Sequence, residues 1–295
     1  VGNTYRVWPL LDYQSAIEDH LQGVTHIIRG KDLMDSTRKQ TLLYKLRNWD
    51  YPETMYWGRV KVHEFGGFST SGMKADISEG KYSGWDDQRL PTIAALRKRG
   101  FSPEALRAFW IELGLNQKDI SVSMTTIESH NSKVIDKITP RVSFIGQNNA
   151  SLTLDLKKEW NSEILKLPKH PDDSEMGYRD WPSPKNGDII VLEKDDIDEE
   201  IRLKEFANAT VKSTKISADE FERTDRRPIV HWLLENHTMP AILTTSNGDE
   251  IVENKGLIET GKYQVGDIFQ LERMGFARIT EISENSEIKL VFLHD

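Results

Sequence analysis

Residues 24–40, with the sequence VTHIIRGKDLMDSTRKQ, contain a strand pattern that ends in an arginine and is followed by a helix start. The β-branched run over residues 24–28 predicts a strand, and Arg29 stands where that strand ends. Ser36 is a preferred N-cap residue and therefore predicts the start of a helix. We expect this helix to carry leucines on one side, namely Leu42, Leu43 and Leu46.

The position of Arg29 predicts an anion-binding role. Ligands of α/β sheets bind where a strand ends and a helix begins. The planar guanidinium fork suits a carboxylate or a phosphate. The alternative is an arginine exposed on a loop, and the surrounding sequence decides between the two.

The composition is that of a globular protein with more than one domain. A chain of 295 residues suits about two or three domains. The absence of cysteine excludes disulfides, a thiol nucleophile and cysteine-ligated metal, and it favours a cytoplasmic location. No apolar run is long enough to predict a membrane span. The net charge of −8 does not itself favour nucleic-acid binding, which would need local basic patches.

The secondary-structure pattern changes along the chain. Residues 12–23 predict a helix before the strand that leads to Arg29, and the middle of the chain is predicted to be helical over residues 90–100, 102–114 and 123–137. From Arg141 onward, short strand-like runs are separated by Gly, Asn and Pro, as in β-barrels or sandwiches. We therefore expect a fold class of α/β plus all-β.

The α/β pattern at the start of the chain covers only about fifty residues. Such a unit is too short to bury a parallel sheet on both faces. We expect it to be the second half of an α/β domain.

A second cluster of candidate residues lies in the glycine-rich segment 66–77, GGFSTSGMKADI, and in residues 84–92, GWDDQRLPT. Glycines beside small hydroxyl residues let backbone N–H groups approach phosphate oxygens, although a plain flexible turn is the alternative. The acidic run over residues 195–200 predicts a solvated loop rather than a metal site. The eight histidines show no ligand spacing, so no metal site is predicted.

Several motifs, taken together and in order, resemble the class I glutamyl/glutaminyl-tRNA synthetases of the archaeal and eukaryotic type. The resemblance runs from about Tyr5 to the C-terminus. The motifs that carry it are GVTHIIRG at 23–30, GWDDQRLPTI at 84–93, LRKRG at 96–100, HPDDSEMG at 170–177, VHW at 230–232 and FQLER at 269–273.

This resemblance implies a division into parts. Residues 1–64 are similar to the second half of the Rossmann catalytic domain, a partial half-domain. Residues 65–140 are similar to the helical stem-contact region that carries the ATP-loop motif. Two C-terminal anticodon-binding β-barrels are implied, a proximal one over residues 141–190 and 267–295 and a distal one over residues 191–266.

The family's activity is also implied. Glutamate reacts with ATP, with Mg²⁺, to give glutamyl-adenylate and pyrophosphate, and the glutamyl group then passes to the tRNA. The implied partners are glutamate, tRNA(Glu) and also tRNA(Gln) for a non-discriminating enzyme; no membrane partner and a monomeric state are expected. The alternatives are a glutaminyl-tRNA synthetase and a non-catalytic tRNA-binding protein.

For the small substrates, the resemblance assigns roles residue by residue. Arg29 and Asp12 match amino-acid-binding positions, although Leu11 stands where the family often has a tyrosine. The arginine favours glutamate, because it pairs with a side-chain carboxylate but not with an amide. The ATP-binding positions are Arg59, Ser69 and Ser71, and the catalytic loop positions are Ser69, Thr70, Ser71 and Lys74. In that loop Thr70 replaces the family's second lysine, and Lys74 is the candidate substitute.

For tRNA, Asp35 matches a position that reads the acceptor end. Arg141, Gln270 and Arg273 match positions near the anticodon bases, where planar donors can bind unstacked bases. The family's His-Ile-Gly-His motif, which holds the ATP phosphates, does not occur in this sequence. We therefore expect this polypeptide to be a C-terminal fragment of the enzyme that mainly binds tRNA and does not form adenylate alone.

Overall fold

A computed structural model describes residues 3–198 and 200–295 of the chain. The chain divides into two compact units. The first comprises the described part of residues 1–67 together with 107–127, and the second comprises residues 68–106 and 128–295, apart from residue 199.

The first unit is built around a parallel strand pair. Its elements are helix α1 (Leu11–Leu21), strand β1 (His26–Gly30), helix α2 (Met34–Arg47) and strands β2 (Glu53–Trp57), β3 (Val60–Val62) and β4 (Ile120–Val122). Strands β1 and β2 pair in parallel, with Arg29 opposite Tyr56, and α2 connects them. Strands β3 and β4 form a second parallel pair. The predicted strand–helix sequence around Arg29 is confirmed.

The buried face of α2 differs from the predicted one. The helix begins at Met34 rather than after Ser36, because a 3-10 turn over Lys31–Leu33 leads directly into it. Its buried residues are Gln40 and Tyr44. The predicted leucine face is wrong, since Leu42 is 62% and Leu46 82% exposed. Hydrogen bonds made by two polar side chains, rather than apolar burial, fix the orientation of this helix.

In the middle segment the last three helices match their predicted positions, whereas the first begins in the glycine-rich segment 66–77, where no helix was predicted. The helices are α3 (Thr70–Ser78), α4 (Ile93–Arg99), α5 (Pro103–Leu113) and α6 (Met124–Ile135). The hydroxyl of Thr92 accepts a hydrogen bond from the backbone N–H of Ala95 at 3.0 Å and so caps α4. Gly100 ends that helix at a φ of +113°, which glycine adopts readily.

The C-terminal part of the second unit consists of strands. They are β5 (Arg141–Val142), β6 (Phe144–Gly146), β7 (Asn149–Leu156), β8 (Ile164–Pro168), β9 (Tyr178–Pro182), β10 (Ile189–Glu193), β11 (Glu200–Leu203), β12 (Asn208–Lys212), β13 (Lys215–Glu220), β14 (Ile229–Val230), β15 (Leu233–Leu234), β16 (Thr238–Asn247), β17 (Glu250–Glu259), β18 (Ile268–Leu271), β19 (Gly275–Ile282) and β20 (Ile288–His294). They form two seven-stranded sheets, and β8 pairs with β9 in a separate ribbon.

The strands are divided between the two large sheets differently from the predicted barrels. One sheet has the order β14-β11-β12-β13-β7-β10-β15, so it holds residues 149–156 and 189–193 with 200–234. The other has the order β5-β18-β19-β20-β16-β17-β6 and so joins 141–146 to 238–294. This division results from parallel pairs between segments that are distant in the sequence, β7 with β13 and β16 with β20. Local sequence patterns do not show which distant strands pair.

A buried cluster of charges joins the ribbon to both large sheets. Arg179 of β9 donates to Glu259 of β17 and to Glu272, which follows β18, each at 2.6 Å. Lys204, which follows β11, lies 3.1 Å from Glu272. Burial acts to raise the pKa of Glu272, but Arg179 and Lys204 lower it overall. The two cations therefore favour the ionised form of Glu272, whereas burial raises the pKa of Glu259 in spite of its pair with Arg179.

Removing the central cation tests this cluster. We expect Arg179→Met to lower the free energy of unfolding by about 3–5 kcal/mol, because it leaves two buried carboxylates with one cation between them. The measurement is equilibrium denaturation in urea. Lys289→Met is the matched control, since the Lys289–Glu281 pair is exposed and should contribute little. If both substitutions had equally small effects on the free energy of unfolding, Arg179 would not stabilise the buried carboxylates as described.

Candidate functional site

Arg29 lies on β1 in the first unit and is half-buried. Its Nη1 donates to Oε1 of Gln40 at 2.9 Å, with Thr37 Oγ1 at 3.4 Å. An ion pair requires a nitrogen and a carboxylate oxygen within 4.0 Å of each other. Within residues 3–198 and 200–295, the guanidinium of Arg29 makes no such pair. Arg29 is therefore a partly sheltered cation that is held by neutral groups.

Asp12, the other predicted amino-acid-binding residue, lies in the first turn of α1 beside the same group of side chains. Its carboxylate accepts from Lys39 Nζ at 2.9 Å. The Ser36 hydroxyl and the Lys39 ammonium lower the pKa of Asp12. Lys39 makes the ion pair with Asp12, and Arg29 acts on the same carboxylate only at longer range, so the guanidinium has no direct carboxylate partner.

The other predicted residues of the first unit lie at its surface. Arg59 has an exposed side chain, and its backbone N–H donates to Asp119 Oδ1 at 2.8 Å. The preceding Gly58 is required by close packing, because a Cβ there would lie 2.1 Å from the Lys118 carbonyl oxygen. Asp35 is 82% exposed at its side chain and lies 3.5 Å from Arg38.

The predicted ATP-loop residues begin helix α3 in the second unit. Ser69 is the N-cap, and its Oγ accepts from the backbone N–H of Gly72 at 3.1 Å. Thr70, Ser71 and Lys74 are all exposed in the first turns of the helix. Backbone N–H groups at such a helix start favour phosphate oxygens, so the local geometry suits the predicted contact.

The three residues predicted to read bases line one cleft in the second unit. Arg141 and Gln270 are partners on the parallel strands β5 and β18, and Arg273 follows closely. The cleft has a volume of about 390 Å³. The residues that line it with them were not predicted as site residues: Pro171, Lys204, Ile229, His231 and Glu272.

Acidic residues hold both arginines of the cleft in place. Arg141 Nη2 donates to Asp136 Oδ1 at 2.7 Å, and Arg273 Nη1 donates to Asp196 Oδ2. Asp196 belongs to the acidic run that was predicted to be a solvated loop, but its side chain is only 12% exposed. Glu199 of that run lies outside the described residues. The partners fix the directions in which the two guanidinium groups face.

His231 supplies a buried hydrogen-bond acceptor to the cleft. Its Nε2 lies 3.1 Å from the carbonyl oxygen of Phe144, which can only accept, so Nε2 carries the proton. Its Nδ1 has no hydrogen-bond partner among the described residues and lies 4.0 Å from Asp196 Oδ2, and Gln270 Oε1 has no hydrogen-bond partner there either. Burial lowers the pKa of His231 and keeps the imidazole neutral. The cleft thus offers both cationic donors and neutral acceptors, as the edge of a nucleobase requires.

The described ranges contain no group of three or more His, Cys, Asp or Glu side chains that could hold a metal ion. Within the same ranges, no helix has the length and the apolar character needed to cross a membrane.

Two family models match the chain. Residues 1–137 match the catalytic domain of the class I tRNA synthetases (E and Q), and residues 139–226 match the anticodon-binding domain of the same class.

Relatives described as glutamate–tRNA ligases match along the whole chain. Those of Methanosarcina barkeri and Archaeoglobus fulgidus are 42% and 41% identical, each over 100% of this chain and 52% of the relative. The one from Pyrococcus abyssi is 37% identical over 99% of this chain and 52% of the relative. The chain thus spans about half the length of the curated relatives it matches. A solved glutamate tRNA ligase from Elizabethkingia meningosepticum shares 21% identity over 44% of this chain and 31% of that one, and its TM-score of 0.33 is too low to support a fold inference.

The neutral, buried His231 predicts a pH dependence of stability. In the unfolded chain its pKa is 6.5, and in the folded chain it is lower. Below pH 6.5 the unfolded state therefore binds a proton that the folded state does not, and stability falls as the pH falls, by at most about 1.4 kcal/mol per pH unit. We expect His231→Gln to lose less stability than the unsubstituted protein between about pH 7.5 and 5.5.

Urea unfolding at the two pH values measures this difference. The control is His63→Gln, at an exposed position. An unchanged pH dependence in His231→Gln would contradict the neutral, buried state of this imidazole.

Proposed function

The chain belongs to the class I tRNA synthetases for glutamate and glutamine, and we propose that the protein is a glutamate–tRNA ligase. The observation that carries the choice of glutamate is Arg29, a half-buried cation without a carboxylate partner in the described part of the chain. The names of the relatives, which match at about 40% identity, support the same choice.

In this proposal Arg29 pairs with the side-chain carboxylate of glutamate. A glutamine substrate would leave the guanidinium uncompensated, at a cost of roughly 2–5 kcal/mol. Asp12 binds the same amino acid from the start of α1. This charge argument disfavours the glutaminyl alternative.

ATP is the second proposed substrate, with Mg²⁺ on its phosphates. Arg59, Ser69 and Ser71 bind it, and the N–H groups at the start of α3 contribute to phosphate binding. Thr70 and Lys74 complete the loop, with Lys74 supplying the positive charge that Thr70 lacks. The reaction joins the glutamate carboxylate to the α-phosphate and releases pyrophosphate, so positioning and charge stabilisation do most of the catalytic work.

The tRNA is the third proposed partner. Asp35 reads the acceptor end, and Arg141, Gln270 and Arg273 read anticodon bases in their shared cleft. We assign residues 1–64 to the second half of a Rossmann domain, residues 65–140 to the helical stem-contact region and the strands from residue 141 onward to two anticodon-binding barrels. We further propose a monomeric, cytoplasmic enzyme that charges tRNA(Glu), with tRNA(Gln) as a candidate second substrate.

Binding of tRNA(Glu) tests this assignment. We expect measurable affinity that falls steeply with salt, because cationic groups contact phosphates. Arg141→Gln should weaken binding by about 1–3 kcal/mol, since it removes a base contact. Filter binding over a salt series measures both effects.

Lys289→Gln is the charge-matched control, because Lys289 lies on β20 and does not line the cleft. It should leave the affinity for tRNA(Glu) nearly unchanged. Binding that is independent of salt, or equal effects of the two substitutions, would contradict the proposed tRNA site.

A further inference from the structure

We propose that Gln40 is a positioning residue that sets the preference for a carboxylate substrate by holding Arg29 without neutralising it. The inference rests on the proposed function and adds a specificity residue to it. Gln40 lies in α2 and is 2% exposed. Such a buried amide must find its hydrogen bonds inside the protein.

The direction of the Gln40 amide follows from its partners. Its Nε2 lies 2.9 Å from the backbone carbonyl oxygen of Asp12, which can only accept, so the NH₂ group must face that side. The same Nε2 donates to Ser15 Oγ at 2.7 Å. Oε1 must therefore face the other way, toward Arg29.

On that side the amide oxygen has two donors. Arg29 Nη1 donates at 2.9 Å and Tyr51 Oη at 2.8 Å. Both amide hydrogens and both oxygen lone pairs are thus used. The side chain links α1, the end of β1 and the segment before β2, and it fixes one edge of the Arg29 guanidinium.

The charge of Gln40 matters as much as its geometry. A carboxylate at this position would have nearly the same shape and would also accept from Arg29 and Tyr51, but it would lose the two hydrogen bonds that Nε2 donates to Asp12 and Ser15. It would form a buried ion pair with Arg29 and compete with any carboxylate of a ligand. The amide provides the orientation and leaves the positive charge for the substrate.

Side-chain hydrogen bonds lower the pKa of Asp12 and the charge of Arg29 adds a smaller effect, but the Asp12 carboxylate makes its ion pair with Lys39. Asp12 is bound by Lys39 at 2.9 Å, while its backbone carbonyl is bound by Gln40. The site therefore contains one neutralised pair and one cation held by an amide. A ligand carboxylate is the group that such a site selects.

The test is Gln40→Glu in the full-length protein, assayed by tRNA charging with glutamate and with glutamine. We expect the KM for glutamate to rise at least about tenfold and the glutamate-to-glutamine ratio of kcat/KM to fall by a similar factor. The KM for ATP should stay close to its unsubstituted value, whereas the melting temperature should fall, because the second carboxylate oxygen would face the Asp12 carbonyl oxygen without a donor between them. Gln14→Glu is the matched control, because it makes the same chemical change at an exposed position of α1.

Tyr51→Phe is a milder second variant for the case in which Gln40→Glu folds poorly. It removes one hydrogen bond to Oε1 and keeps the aromatic ring. We expect a severalfold rise in the KM for glutamate with an unchanged KM for ATP.

The outcomes distinguish the proposed role of Gln40 from the proposed function of the protein. An unchanged KM and an unchanged glutamate-to-glutamine ratio in both variants would overturn the role of Gln40. So would a uniform loss of glutamate, ATP and tRNA binding, which indicates a purely structural role. Failure of the unsubstituted protein to charge tRNA with glutamate would instead refute the proposed function.

Discussion

The orientation of the Gln40 amide is the constraint on which the first unit and its candidate site depend. The four hydrogen bonds of this amide hold the guanidinium of Arg29 and, together with the Tyr44–Ala16 hydrogen bond, set how α2 lies on α1. Polar contacts take the place of the apolar stripe that usually orients a surface helix. The leucines of α2 consequently remain at the surface, and the helix presents its polar side to the site.

Each of the two units contains an arginine that is at least partly buried, but the two arginines have different kinds of partner. In the second unit, Arg179 lies between Glu259 and Glu272, and Lys204 also pairs with Glu272. That arrangement joins the ribbon to the sheets and directs both cations at carboxylates of the protein itself. Arg29 is instead held by the neutral Gln40 and makes no ion pair within the described part of the chain, although its charge contributes to the lowered pKa of Asp12. This difference separates Arg179, which holds the sheets together, from Arg29, which is suited to bind a carboxylate of a substrate.

The sequence was sufficient to predict local elements but not long-range pairing. The strand before Arg29 and the helices near residues 93–99 and 103–113 follow from β-branched runs, caps and periodicity. The assignment of strands to the two large sheets depends on parallel pairs such as β7 with β13, which no local pattern encodes. The buried face of α2 was predicted wrongly, because the spacing of leucines along the sequence carries no information about the hydrogen bonds that Gln40 makes. Similarly, His231 lies in the VHW motif, but the sequence does not show that its Nδ1 is an acceptor. That role follows only from the contact between Nε2 and the carbonyl oxygen of Phe144, which places the proton on Nε2.

The central claim is that Arg29 pairs with the side-chain carboxylate of the amino-acid substrate. The most direct measurement is kcat/KM for glutamate and for glutamine in the full-length protein and in Arg29→Met. The account predicts a loss for glutamate of about 30-fold or more, corresponding to at least about 2 kcal/mol, with no comparable loss for glutamine. An equal loss for both amino acids, or no loss for either, would contradict it.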